Sequence, residues 1–299
     1  MRWMIAAAIA SWFFLAPAPA HAWGQGGHYT VCEIGYLNLT PAAKAEVDRL
    51  VALDGRFASF TETCTFPDNP VSRASEHYSN YLRNQRRIGP GCPGGQPCVL
   101  GAIDSDLAIL RSSSATDAQK SIAILYIGHW FGDLHQPLHV SFADDRGGNS
   151  IKAPGPCSGS FEASLHSVWD TCVIERRIFS PGTDRLARAR AAARILAASV
   201  TKRERRNWVR SKPWEWAGES YKVTIAERTG YCVRKDGACW YSVDRQTFAK
   251  DDAQRSLPVD DAYLDRARPI VETRLRRAGI RLADALNRTF DPDFDGWRS

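Results

Sequence analysis

GHWFGDLHQPLH, residues 128–139, packs three of the chain's seven histidines and one aspartate into a dozen positions. It closes a longer run, DAQKSIAILYIGHWFGDLH (117–135), whose apolar residues recur at helical spacing. At about 100° per residue, His129 and Asp133 lie about 40° apart and face one way, whereas His135, roughly 240° from His129, faces another. Pro137 ends the helix and pushes Gln136 out of the αR region, so His139 can return toward the His129/Asp133 face from a non-helical position. LHSVWD (165–170) repeats the spacing with His166 and Asp170. An imidazole and a carboxylate one turn apart make half of a zinc site, since zinc takes N and O donors at about 2.0–2.2 Å. One such pair looks the same as a helix-surface ion pair. Two pairs together with the Pro-broken H-x-x-x-D-x-x-x-x-x-H are far more specific.

Working outward, helical periodicity dominates. HYTVCEIGYL and PAAKAEVDRLVAL read as consecutive helices, with Pro41 suited to a first turn. AIDSDLAILRS precedes the 117–135 helix, for which Asp117 is the expected cap. The alanine-rich stretch 184–208 reads as one long helix. Segments 214–229 and 261–287 complete the set, with Pro269 expected to kink the last helix or sit in its first turn. Residues 86–98 and 143–160 are Gly/Pro loops, and YCVRKD with ACWYSVD can form a hairpin. The expectation is one all-α domain with long functional loops.

The chain has 299 residues and a net charge of +6. That mild basicity suits an anionic substrate without requiring one. Residues 1–22 carry Arg2, an apolar stretch from Trp3 to Leu15, and then small residues ending in Ala20-His21-Ala22. This is the layout of a cleaved secretory signal, and the apolar run is short for a membrane span. The expected mature domain is 23–299, secreted or periplasmic, without a membrane anchor and monomeric. All eight cysteines follow Ala22, and an even count in an exported chain favours disulfides. No C-x-x-C occurs, which excludes the commonest zinc-finger spacing. Cys92–Cys98 and Cys232–Cys239 bracket short turns. Cys32–Cys64 and Cys157–Cys172 are taken as the remaining pairs, although eight cysteines allow on the order of a hundred connectivities.

The ordered blocks WGQGGH (23–28), HYSNY (77–81), GHWFGDLHQPLH, GGN (147–149), LHSVWD and AGIRLADALN (278–287) run the length of the chain. In order and spacing they resemble the S1/P1 nucleases, which are related to bacterial zinc-dependent phospholipases C; the chain looks like a bacterial-type member. The resemblance implies a mostly helical fold with three zinc ions at the bottom of a cleft. Asp68, His77, His129 and Asp133 would hold one zinc, and His139, His166 and Asp170 another. The amine and carbonyl of Trp23, His28 and the bridging carboxylate of Asp133 would hold the third. Trp23 follows the expected cleavage site, and only a free α-amine can supply that ligand.

The implied reaction is hydrolysis of single-stranded DNA and RNA to 5′-phosphorylated products, with 3′-nucleotidase activity. A water shared by the two zincs that Asp133 bridges is the implied nucleophile, and the remaining zinc steadies the departing 3′ oxygen. Tyr78 and Asn80 correspond to the family's base-stacking and base-bonding positions; the alternatives are that Tyr78 packs in the core and Asn80 caps a turn. Fungal members place an arginine shortly after the first aspartate. DNPVSR has Val71 at that spacing and Arg73 two residues later, which puts phosphate contact from this loop in doubt. A phospholipase C on the same scaffold is the alternative, but its last ligand is typically Glu where this chain has Asp170.

Other features have plainer readings. His135 is expected to support the helix end, because its angle is wrong for a ligand. Asn149 could touch substrate or simply make a turn. RNQRR (83–87) and TKRERRNWVR (201–210) are expected to be solvated faces rather than nucleic-acid guides. Carboxylate partners are expected on the outer histidine nitrogens. DPDFDG (291–296) begins like an EF-hand loop but lacks the length to complete one. Asn38 and Asn287 stand in sequons.

Overall fold

From Ala123 to His135 every residue of helix α5 (Asp117–His135) is buried, so this helix is packed on all sides rather than along one stripe. The computed structural model describes residues 23–159 and 163–297; the proposed leader, 1–22, lies outside them. Around α5 stand α1 (Gln25–Leu37), α2 (Pro41–Ala52), α3 (Phe60–Thr63) and α4 (Val99–Arg111). The chain continues through α6 (Leu165–Ser167), α7 (Arg185–Ala198), α8 (Lys202–Trp208), α9 (Pro213–Thr224) and α10 (Asp261–Phe290). After α6 the helix widens into two π-helical turns, Val168–Cys172 and Ile174–Ile178. The architecture is mostly helical, as expected.

Several boundaries differ from the expectation. Thr116, not Asp117, caps α5: its hydroxyl accepts from Gln119 N, and the Gln119 side chain returns the bond to Thr116 N. The stretch 184–208 is two helices. Thr201 caps α8 in a capping box with Glu204, and Ser199 and Val200 lie outside both helices. The 214–229 segment divides into α9 and a 3₁₀ turn, Glu227–Thr229. Pro269 sits in the interior of α10, which neither starts nor breaks there. It lies on the exposed side, four residues after exposed Asp265, so the carbonyl that loses its N–H partner can turn to water.

The described residues contain three small strand pairs. β4 (Val233–Lys235) and β5 (Ala238–Trp240) form the expected hairpin, turning at Asp236 and Gly237, both at positive φ. β3 (Ile151–Lys152) pairs with β6 (Arg255–Ser256). β1 (Ser79–Tyr81) pairs in parallel with β2 (Val140–Phe142), Ser79 opposite Val140. The β1–β2 pair was not foreseen, and it holds two candidate ligands together: His77 stands just before β1 and His139 just before β2. All four expected disulfides form. The two sequon asparagines join helix ends. Asn287 is buried, accepts from Thr40 N and donates to Asn38 O, while the Asn38 side chain donates to Ile34 O.

The C-terminal end of α5 is held from behind by charge. Glu219 on α9 accepts from Arg274, Arg277 and Arg281 of α10, each at 2.8 Å. Arg274 and Arg281 are buried, and Arg274 donates onward to His135 O. His135 fills the supporting place expected of it, bonding Phe131 O through Nδ1 and Arg281 through Nε2. Burial alone would raise the Glu219 carboxyl, but Arg281, with Arg274 and Arg277, holds it far below the usual carboxylate range. Such a depressed acid adds stability above its unfolded value, about 4.3, and loses it as pH falls toward the folded value. Glu219→Gln strands two buried guanidinium groups and should cost about 3–5 kcal/mol at neutral pH. Thermal melts should show the gap between wild type and variant narrowing below about pH 4. A gap independent of pH would show that the carboxylate's charge is not what holds the cluster.

Candidate metal centre and substrate cleft

Two glycines on α5 let α1 come close enough to bring His28 to the site. A Cβ on Gly128 would meet the sulfurs of Cys32 and Cys64 at 2.3 and 2.4 Å, and one on Gly132 would meet His28 Nδ1 at 2.8 Å. The His28 ring therefore stacks on His129 at 3.8 Å, with its Nε2 3.5 Å from Asp133 Oδ1. His129 Nε2 lies 3.2 Å from Asp133 Oδ2, as expected from the one-turn spacing. His77 ends a 3₁₀ turn, Ala74–His77, and puts Nδ1 3.3 Å from Asp133 Oδ2 and 3.6 Å from Asp68 Oδ1. His139, at the end of the 3₁₀ turn after Pro137, reaches back to 3.7 Å from Asp133 Oδ1 and 3.8 Å from Asp170 Oδ1. His166 Nε2 is 3.1 Å from Asp170 Oδ2, a one-turn pair carried into the π-helical segment.

The eight side chains from His28 to Asp170 thus form one buried chain, within which three groups, two of them sharing His129, have donor atoms within 4.8 Å of one another. They are His28/His129/Asp133, Asp68/His77/His129 and His139/His166/Asp170. Where carboxylates were expected on the outer histidine nitrogens, the described residues place backbone carbonyls on four of them. His129 Nδ1 bonds Cys64 O at 2.8 Å, His77 Nε2 bonds Ser72 O at 3.0 Å, His139 Nδ1 bonds His77 O at 2.6 Å and His166 Nδ1 bonds Gly147 O at 2.7 Å. A carbonyl only accepts, so each of these nitrogens carries the proton and the opposite nitrogen of each neutral ring presents a lone pair.

Those lone pairs face each other: His129 Nε2 and His77 Nδ1 are 3.0 Å apart, and His139 Nε2 and His166 Nε2 are 3.2 Å apart. Two bare lone pairs at that distance repel, so a proton or a metal cation must lie against both. Among the described residues, neither oxygen of Asp133 and neither nitrogen of His28 has a hydrogen-bond partner, although all four atoms are buried. The residues therefore fit metal ions. Burial lowers His129, but the charges of Asp133 and Asp68 outweigh it and push the group up to about 9. A metal bound there would displace that proton. Burial also drives His28 well below its ordinary value and lowers His139.

Trp23 is buried against this centre. Its indole Nε1 donates to Gly132 O at 2.8 Å, and the next residue's N–H donates to Asp170 O at 3.0 Å. Gln136 was not picked out from the sequence. It is fully buried, donates to Asp170 Oδ1 and accepts from Leu138 N at 2.5 Å, so it orients a ligand carboxylate. Pro137 is the signal that could have found it, because a residue forced out of helix at a ligand cluster must send its amide somewhere.

A family model described as S1/P1 Nuclease matches residues 23–291. The chain belongs to the S1/P1 nuclease family. Among its relatives, Endonuclease 2 of Arabidopsis thaliana is 28% identical, aligned over 94% of this chain and 95% of its own length. Nuclease S1 of Aspergillus oryzae is 24% identical over 89% and 91%, and Nuclease P1 of Penicillium citrinum 22% over 89% and 97%. The protein is a hydrolytic nuclease acting on nucleic acid, and the His/Asp chain is its candidate metal centre.

A cleft of about 350 Å³ opens beside the nuclease centre, lined by His77, His139 and His166 at its inner end and by Tyr78, Asn80 and Arg146 farther out. Tyr78 is 39% exposed, which rules out core packing. Asn80 lies in β1 rather than capping a turn, with its amide oxygen 3.2 Å from Ser141 Oγ. Val71 also lines the cleft, whereas Arg73 is turned away: it pairs with Asp106 and Glu76 and lies over the Trp130 ring. Asn149 makes a turn, its side chain donating to Arg146 O. Of the basic runs, Arg83 is structural, buried on Asp144 and Asp145, and α8 is held by its cap. No helix among the described residues is long and apolar enough to cross a membrane.

Proposed function

We propose that residues 23–299 form one exported, monomeric domain, a three-zinc nuclease. It would hydrolyse single-stranded DNA and RNA to 5′-phosphorylated products and remove 3′ phosphates from nucleotides. Its sequence would be processed after Ala22, and the four disulfides support passage through an oxidising compartment. The observation that carries the reading is the pair of facing histidine lone pairs around orphaned Asp133, at the inner end of a cleft with Tyr78 at its side.

Asp68, His77, His129 and Asp133 would hold one zinc, and His139, His166 and Asp170 a second. The Trp23 amine and carbonyl, His28 and Asp133 would hold the third. Bound zinc would supply Lewis acidity toward phosphoryl oxygens and lower the pKa of water toward neutrality. The chain's own residues arrange the rest. Four backbone carbonyls keep the imidazoles in their ligand tautomers, and Gln136 keeps Asp170 turned inward. Tyr78 offers a face on which a base can stack, and Asn80 can bond its edge. A centre at the inner end of a cleft admits an unstacked nucleotide more readily than a duplex. Asp170 in place of Glu, and Tyr78 on the cleft wall, favour nucleic acid over a phospholipid.

The test is release of acid-soluble nucleotide from single-stranded DNA by protein beginning at Trp23, with zinc, with chelator, and beside phosphatidylcholine. Chelator-sensitive cleavage of DNA but not lipid is the expected result. Lipid cleavage with inert DNA would overturn the substrate assignment.

A further inference from the structure

Arg146 is an exposed residue lining the cleft, and its guanidinium has no hydrogen-bond or ion-pair partner among the described residues. The chain strains its backbone to put it there. Arg146, Gly147 and Gly148 are all at positive φ, 56°, 67° and 83°, a region that an arginine enters only at a cost. Gly147 has no room for a side chain, since a Cβ would lie 2.6 Å from Leu138 O. The turn is pinned on both sides. Before it, buried Asp145 takes bonds from Arg83 at 2.7 Å, Tyr231 at 2.5 Å and Gly148 N at 3.1 Å. After it, Gly147 O accepts the proton of His166 Nδ1. The backbone that carries this unpaired cation is thus fixed next to a candidate metal ligand.

We propose that Arg146 binds a phosphate of the substrate strand other than the scissile one, namely the phosphate on the 5′ side of the nucleoside seated in the cleft. This rests on the nuclease reading above. With the base on Tyr78 and the 3′ oxygen at the His139/His166 end, the remaining anionic group of that nucleoside is its 5′ phosphate, and Arg146 is the unpaired cation at the cleft wall. The contact makes the enzyme prefer chains over end nucleotides: a strand interior always carries that phosphate, whereas a dephosphorylated 5′ end does not. It is a specificity residue, filling a need that Arg73, tied to Asp106 and Glu76, does not meet.

The test compares two dinucleotides that differ only in a 5′ phosphate, using the zinc-loaded wild type, Arg146→Gln and Arg146→Lys. Wild type should favour the phosphorylated one, and Arg146→Gln should shrink the kcat/KM ratio about five- to tenfold, chiefly through KM. Arg146→Lys should recover part of the preference. On single-stranded DNA the slope of log KM against log salt should fall by about 0.7 in Arg146→Gln, as for one lost phosphate contact. An unchanged ratio, or an equal loss on both dinucleotides, overturns the proposal. A wild type that cleaves neither dinucleotide nor DNA fails the nuclease reading instead.

Discussion

Asp133→Asn should lower kcat/KM on single-stranded DNA by at least about a thousandfold, the loss of roughly 4 kcal/mol of transition-state stabilisation. Bound zinc should fall by more than one ion per chain, measured by elemental analysis. The reason is placement. Asp133 lies within 3.7 Å of His28, His77, His129 and His139, with both oxygens buried and unbonded. Asn keeps the volume but gives up the charge and one oxygen, so it cannot serve two ions at once. Asp68 stands at only one end of the chain of ligands, 3.6 Å from His77 and 3.7 Å from His129, so Asp68→Asn should cost less, about ten- to a hundredfold. Chelation should lower the wild-type Tm, because bound ions stabilise the folded state. It should lower that of Asp133→Asn by less, because the ion of the His139/His166/Asp170 set is what remains to be removed. If Asp133→Asn keeps a tenth of wild-type activity with full zinc, the bridging role is wrong.

What could be read in advance depended on how far apart along the chain the interacting parts lie. The His129/Asp133 and His166/Asp170 pairs are local, and helical spacing alone places each pair on one face. The caps at Thr116 and Thr201 were also present in the sequence as T-x-x-Q and T-x-x-E, yet the alanine-rich run around 184–198 outweighed the second of them. The parallel β1–β2 pair left no pattern, since three-residue strands are too short for an alternation to register. The same holds for the outer partners of the histidines. Backbone carbonyls such as Cys64 O and Gly147 O belong to every residue, so no residue type marks them. Glu219 with its three arginines, and Arg83 with Asp145, join segments far apart in the chain, and their charges read equally well as solvated surface.

One extra residue ahead of Trp23 should remove the third zinc and lower activity about a hundredfold or more, while leaving the fold intact. A free α-amine, with a pKa near 8, gives up its proton to a competing metal; an amide nitrogen has no lone pair to offer. The structure leaves an extension little room to adjust. The Trp23 indole is buried and bonded to Gly132 O, and its Cβ lies 2.8 Å from where a Cβ on Gly27 would stand. The following residue is tied to Asp170 O. Moving the terminus aside would therefore unseat the indole and disturb Asp170 as well. The comparison is between protein beginning at Trp23 and the same chain beginning Met-Trp23, with zinc content, Tm and DNA cleavage read on both. Proteolytic removal of the extra residue should restore the third ion and the activity together. An extended chain that holds three zincs and cleaves at the wild-type rate would exclude the amine as a ligand. The large indole after Ala22 would then be an anchor for α1 and nothing more.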